Sequence, residues 1–353
     1  MPDASESASA TIRATLEGLV QSAVEMQWRT WPGLRESFSE EQLRSTVQDT
    51  RYHLQFLASA LWAHEPLLFS EYLVWAKVLF TNLGLPLEWL SGSLACVQSA
   101  LAGALPQAEA VAAAACIQSG LNALETASVD VPPFIKPDQP LGTLAMRYHG
   151  AVLGGDRHGA SRAVLEAVES GTPIKDIYLW VFQQSQSELG RLWELNRISV
   201  AQEHYATAVT QMVMSQLYAY VFTAKRIGRT LVAACVGEEL HELGVRMVAD
   251  FFEMEGWDTR YLGAATPTAS IVGQVRERGA DLLLLSATMS YRVGAVAEIV
   301  SALRTDEQTR TTKVLVGGYP FNLAPELWRR VGADGYAPDA GAALEVGGQL
   351  MAA

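Results

Sequence analysis

Two periods of hydrophobic spacing divide this chain. From Ser5 to about Ala127 apolar residues recur at three- and four-residue steps, as in Leu54, Leu57 and Leu61 and then Phe69, Leu73, Ala76 and Phe80. That spacing places them on one face of a helix. Breaks at Trp31-Pro32-Gly33, His64-Glu65-Pro66 and Gly84-Leu85-Pro86 cut the segment into helices of ordinary length. From Leu231 onward the period changes. Short apolar runs at Leu231 to Val236, Asp258 to Leu262, Leu282 to Leu285 and Val314 to Val316, with a weaker one at Asp334 to Tyr336, alternate with helical stretches. This alternation predicts a five-stranded, doubly wound parallel sheet with helices on both faces and a crevice between its first and third strands.

Between these regions lies a second helical segment. It is set off by Val131 to Pro140, which holds four prolines in ten residues and cannot remain helical. Turns at Gly154-Gly155-Asp156 and Gly171-Thr172-Pro173, and a capping box at Ser199-Val200-Ala201-Gln202, predict four helices in a bundle. The expected organisation is a helical domain over residues 5–130, a linker over 131–140, a four-helix cap over 141–227 and an α/β domain over 228–353.

Composition narrows the function. The net charge of −12 argues against direct nucleic-acid binding, which needs a basic surface. Cys96, Cys116 and Cys235 are widely spaced and form no CxxC pair, which points to a reducing cytoplasm and no zinc site. The uncharged stretch Trp89 to Ala108 is interrupted by Gly92, Gly103 and Pro106 and reads as a buried helix with a turn, giving no membrane role.

The candidate chemistry sits where the first strand should give way to a helix, at Glu239-Leu240-His241-Glu242-Leu243-Gly244. A histidine there lies on the carboxyl edge of the sheet, where open α/β sheets bind ligands. Ser286-Ala287-Thr288 follows the third strand and Gly317-Gly318 the fourth. Together these resemble the cobalamin-binding signature Asp-x-His-x-x-Gly, with Glu239 in the aspartate's place. The resemblance covers residues 141 to 353. It implies that His241 ligates cobalt from below, that Glu239 holds its other nitrogen, and that Gly244, Ser286, Thr288, Gly317 and Gly318 line the channel for the nucleotide tail. The extra methylene of Glu239 is expected to lengthen or water-bridge its bond to His241.

Trp193 followed after nine residues by Glu203-His204 resembles the pattern of CarH-like light sensors that bind adenosylcobalamin. There the tryptophan packs beside the upper adenosyl group and the Glu-His pair contacts it. One position departs. Best-known members carry a histidine directly after the tryptophan, and here that residue is Glu194. His204, His149 or water is then expected to meet cobalt after photolysis. Arginines of the first segment are scattered without a recognition-helix pattern, so the helix-turn-helix domain usual in that family is not expected.

The first segment resembles instead a globin-like sensory domain, as in photocobilins, which hold biliverdin beside cobalamin. Arg51, His53, Tyr72 and Trp75 are the candidate bilin contacts, with Lys77 as a further cation and Cys96 and Cys116 as possible attachment points. A ligand-free helical domain used for dimerisation is the alternative. The sequence thus leads to a non-catalytic, cytoplasmic, oligomeric (dimer favoured) light sensor acting through an unidentified partner. A corrinoid carrier subunit of a methyltransferase or mutase is the other functional reading.

Overall fold

The computed structural model describes residues 3–352 and divides into two compact units. The first comprises residues up to Val129 together with Met289–Gly294 and Asn322–Val331. Its helices are α1 (Ala4–Ala14), α2 (Leu16–Thr30), α3 (Pro32–Ser37), α4 (Glu40–Ala63), α5 (Leu67–Asn82), α6 (Leu87–Ala104) and α7 (Gln107–Thr126). Leu54, Leu57, Leu61, Phe69 and Leu73 are all buried, so the three- and four-residue spacing faces the core as expected. A capping box at Ser39 and Gln42 starts α4, and His64 ends it in the left-handed region. Ser59 donates to the Ser290 carbonyl at 2.6 Å, and Tyr291 packs on Tyr52 and Phe56. Sequence reading missed this placement of two C-terminal segments with the N-terminal helices.

The second unit begins at Asp130. Its cap comprises α8 (Gly142–Leu153), α9 (Arg157–Glu169), a long helix and α12 (Val200–Gln216), followed by the short α13 (Tyr218–Val221). The long helix starts as α10 (Ile174–Ile177), passes through a π-helical turn at Tyr178–Phe182 and continues as α11 (Gln183–Glu194). The proline-rich linker is strapped to α11. Glu188 accepts the Phe134 amide at 2.9 Å, and Arg191, paired with Glu188, donates to the Val131 carbonyl at 3.0 Å.

The α/β part runs β1 (Thr230–Cys235), α14 (Leu243–Met254), β2 (Asp258–Tyr261), α15 (Thr268–Arg278), β3 (Leu282–Ser286), α16 (Val293–Thr305), β4 (Lys313–Gly317), α17 (Tyr319–Leu323), α18 (Leu327–Arg330), β5 (Gly335–Tyr336) and α19 (Ala340–Ala352). All strand pairs are parallel, in the order β2-β1-β3-β4-β5. The order reverses at the β1–β3 pair, where Cys235 sits beside Ser286, so their carboxyl ends form the crevice that such sheets use for ligands. Leu243, Met247 and Phe251 of α14 share one buried core with Tyr148, Tyr178, Phe182 and Val213 of the cap. Cap and sheet are therefore joined by apolar packing, in which truncating one buried phenylalanine costs about 3–5 kcal/mol. Among the described residues no helix is long and apolar enough to cross a membrane.

Candidate functional site

A cavity of about 670 Å³ lies in the second unit between the cap and the carboxyl edge of the sheet. Three kinds of backbone build it. The β1 strand ends in a turn through Gly237, whose φ of 56° is in the left-handed region, and this turn delivers His241 just ahead of α14. The ends of β3 and β4 supply Ser286, Thr288, Gly317 and Gly318. Facing them, α11 and α12 supply Trp193, Glu203 and His204. Gly318 has to be glycine, because its φ is 104° and a Cβ there would collide with the Ala287 carbonyl. That close approach keeps the loops after β3 and β4 against one another.

His241 is held on one side and open on the other. Its Nδ1 lies 2.5 Å from Oε1 of Glu239, which is buried, while the imidazole is 61% exposed. Since a carboxylate only accepts, the neutral imidazole keeps its proton on Nδ1 and its lone pair on Nε2. The hydrogen bond it donates to Glu239 pushes the imidazole's pKa upward, outweighing burial. Glu239 is itself fixed by three amides: Leu240 and His241 each donate to Oε1 at 3.1 Å, and Thr288 donates to Oε2 at 2.9 Å. The expected longer or water-bridged bond is therefore wrong. Glu239 folds back over the two amides that follow it, and that curl absorbs the extra methylene.

The residue after His241 is also tied down. Glu242 accepts from Gln211 of α12 at 2.7 Å, from the Tyr261 hydroxyl at 2.8 Å and from the Ala264 amide at 3.0 Å. Farther along α14, Arg246 donates to Ser215 and Tyr218 of the cap, and Asp250 accepts from Tyr178 at 2.9 Å. Burial pushes the Asp250 carboxyl up to about 6.

On the cap side Glu203 bridges His204 and Thr207, at 2.6 Å to the imidazole Nδ1 and 3.0 Å to the hydroxyl. Thr207 in turn meets Gln186 of α11. The structure thus brings Trp193, Glu203, His204, His241, Gly244, Ser286, Thr288, Gly317 and Gly318 to one cavity, with Glu239 behind His241. His149 does not share it. Its ring is buried against Ser185 at 3.0 Å and is absent from the lining, which removes it as a candidate cobalt ligand. Glu194 is pushed up to about 7 by burial and also lies outside the lining. Residues that sequence reading missed are Gln183, Gln186, Ser187 and Gly190 on α11, Gln211 on α12, and Leu240. The α11 group was discoverable, because its members share Trp193's helix face at three- and four-residue steps.

The bilin candidates of the first unit are arranged otherwise. His53 is buried, with Nε2 3.1 Å from Ser93 and Nδ1 2.8 Å from the Tyr72 hydroxyl. Tyr72 stacks on Phe56, with ring centroids 3.9 Å apart, and neighbours Trp75. Arg51 is engaged by both carboxylate oxygens of Glu17 and by Gln48. Cys96 and Cys116 are buried thiols whose pKa values burial raises. In this conformation His53 and Tyr72 bond to one another, and Arg51 is held by Glu17 and Gln48.

The site's donor set suits a corrinoid: one imidazole nitrogen free for cobalt, its partner nitrogen fixed, and a side-chain-poor crevice beside it. Among the described residues no group of three or more His, Cys, Asp or Glu side chains is placed to hold a bare metal ion. Comparison with known proteins agrees. Residues 229–345 and residues 144–218 each match a family model described as a B12 binding domain. Dimethylamine corrinoid protein 3 of Methanosarcina acetivorans is 25% identical over 197 residues, which span 53% of this chain and 89% of that protein. Dimethylamine corrinoid protein 2 of the same organism is 27% identical over 128 residues, 36% of this chain and 57% of that one. The solved Methanosarcina barkeri monomethylamine corrinoid protein superposes with a TM-score of 0.54 at 19% identity, covering 60% of this chain and all of that one, a likeness of fold. The cap and the α/β part of this chain therefore constitute a cobalamin-binding module.

Proposed function

We propose that this chain is a cobalamin-dependent light sensor, with His241 as lower cobalt ligand and an adenosyl group enclosed by Trp193, Glu203 and His204. One observation carries the proposal: a single cavity receives both an imidazole with a free Nε2 at the sheet edge and this cap constellation. When bound, adenosylcobalamin would supply a cobalt–carbon bond that light breaks. The chain's own part is positional. Glu239 keeps the Nδ1 proton in place and so directs Nε2 into the cavity, while Ser286, Thr288, Gly317 and Gly318 leave room for the nucleotide tail. The cap's contacts through Gln211–Glu242, Arg246 and Tyr178–Asp250 are polar clasps beside a shared apolar core, an arrangement suited to a cap that shifts when its upper ligand leaves. A homodimer, or a partner protein, would then receive the change.

The comparisons lean to a second reading, a corrinoid carrier subunit of a methyltransferase or mutase, because the similar proteins are methylamine corrinoid proteins. The two readings differ at the upper face. A sensor should bind adenosylcobalamin in the dark and, after green light, change its elution volume or the protease protection of its cap. A carrier should bind methylcobalamin at least as well and show no light-dependent change in the protein. Biliverdin binding in the first unit is a separate proposal and requires the His53–Tyr72 hydrogen bond to open. A new red-absorbing band on adding biliverdin to the full chain supports it, and an unchanged spectrum removes it.

A further inference from the structure

Gly190 is an expensive residue for its position. It lies inside α11, where glycine is less favourable than alanine because of its backbone freedom. Two ordinary reasons for tolerating that cost do not apply. Its backbone is not left-handed, and a Cβ built there would meet nothing within 4 Å. Gly347 in α19 shows the contrast, since a Cβ there would run into Phe252 at 2.7 Å. Openness alone is not sufficient, because Gly150 of α8 and Gly273 of α15 are equally open and line no part of this cavity. Gly190 does line it. It stands three residues before Trp193 and three after Ser187, so all three share one helix face, and all three line the cavity.

We infer that Gly190 is a specificity-determining position: the missing side chain leaves room beside Trp193 for a bulky upper ligand on cobalt. This rests on the sensor reading, in which that ligand is adenosyl. A side chain at residue 190 would occupy the space from the protein side and leave the His241 face untouched. Discrimination should therefore fall on the size of the upper ligand alone.

The test uses Gly190→Ala and Gly190→Leu in the full chain, titrated in the dark with adenosylcobalamin and separately with hydroxocobalamin, with binding followed by absorbance. Gly190→Leu should weaken adenosylcobalamin by roughly ten- to a hundredfold, the scale on which an inserted side chain disturbs a packed site, and leave hydroxocobalamin within about threefold. Gly190→Ala should move the ratio of the two affinities in the same direction while melting no lower than wild type without ligand. It keeps the test valid should the leucine variant fold poorly. Equal loss for both cobalamins, or no loss for either, overturns the inference while the sensor reading stands. If wild-type protein binds hydroxocobalamin but not adenosylcobalamin, both fall together.

Discussion

Two histidines, one in each unit, separate a residue that completes a core from one that is offered to a ligand. His53 is buried in the helical unit, and both of its ring nitrogens are occupied, by Ser93 and Tyr72. Burial pushes its pKa down to about 4, so it stays neutral. His241 has only Nδ1 engaged, by a buried carboxylate that raises its pKa, and its ring is mostly exposed at a cavity. The sequence contains both as histidines among aromatics and acids. What distinguishes them is which nitrogens are already spent. A core histidine closes its hydrogen-bonding account internally, whereas a ligand histidine is fixed at one nitrogen and left unfilled at the other.

The most damaging way to break this contrast is His241→Ala. Cobalamin affinity should drop by more than the roughly ten- to hundredfold that accompanies loss of an outer partner, as isothermal titration would register. An unchanged affinity would place the ligand elsewhere. Next comes Asp250 of α14, an acid buried like His53 and bonded to Tyr178 of the cap. Burial holds its folded pKa at about 6, above the ordinary carboxylate value of the unfolded chain. The folded state therefore holds more protons than the unfolded state between these values, and stability falls as pH rises through that window. Asp250→Asn should remove that part of the slope and gain on the order of 2–3 kcal/mol near pH 7 in urea unfolding. An identical slope in the two proteins would show that Asp250 is not the titrating group.

Glu239→Gln sharpens the comparison at the ligand itself. It keeps the Oε1 acceptor for the Leu240 and His241 amides but sets an NH2 group against the Thr288 amide and loses the charge, so cobalamin affinity should weaken by about tenfold, with His241 titrating lower than in wild type. At the cobalamin site the smallest effect, none, belongs to Tyr72→Phe, which strips one partner from His53. Stability should fall by about 1–3 kcal/mol, the cost of a buried unsatisfied group, with cobalamin affinity unaltered. A change in cobalamin affinity there would mean that His53 is not the closed residue described.

Much of the α/β architecture was legible because β1, β3 and β4 are short apolar runs, and because strand order then puts His241, Ser286 and Gly317 on one edge. The cap was legible from its caps and turns, as in the Ser199–Gln202 box that starts α12. Three things were not. The direct Glu239–His241 bond depends on a backbone curl that no residue count encodes. The association of Met289–Gly294 and Asn322–Val331 with the N-terminal helices depends on contacts such as Ser59 to Ser290, which are 231 positions apart. In the first unit Arg51, His53 and Tyr72 have the types a bilin site needs, but residue type cannot reveal that Glu17, Ser93 and Phe56 already engage them.

The central claim is that His241 Nε2 is the lower ligand of cobalt. The most direct measurement is electron paramagnetic resonance of the protein reduced with bound cob(II)alamin, compared between natural-abundance and nitrogen-15-histidine-labelled protein. The low-spin cobalt(II) signal carries a splitting from its axial nitrogen. With His241 on cobalt this splitting changes pattern on histidine labelling, and the labelling effect disappears in His241→Ala. A splitting indifferent to the label would mean that the cofactor's own base remains on cobalt, and would contradict the account.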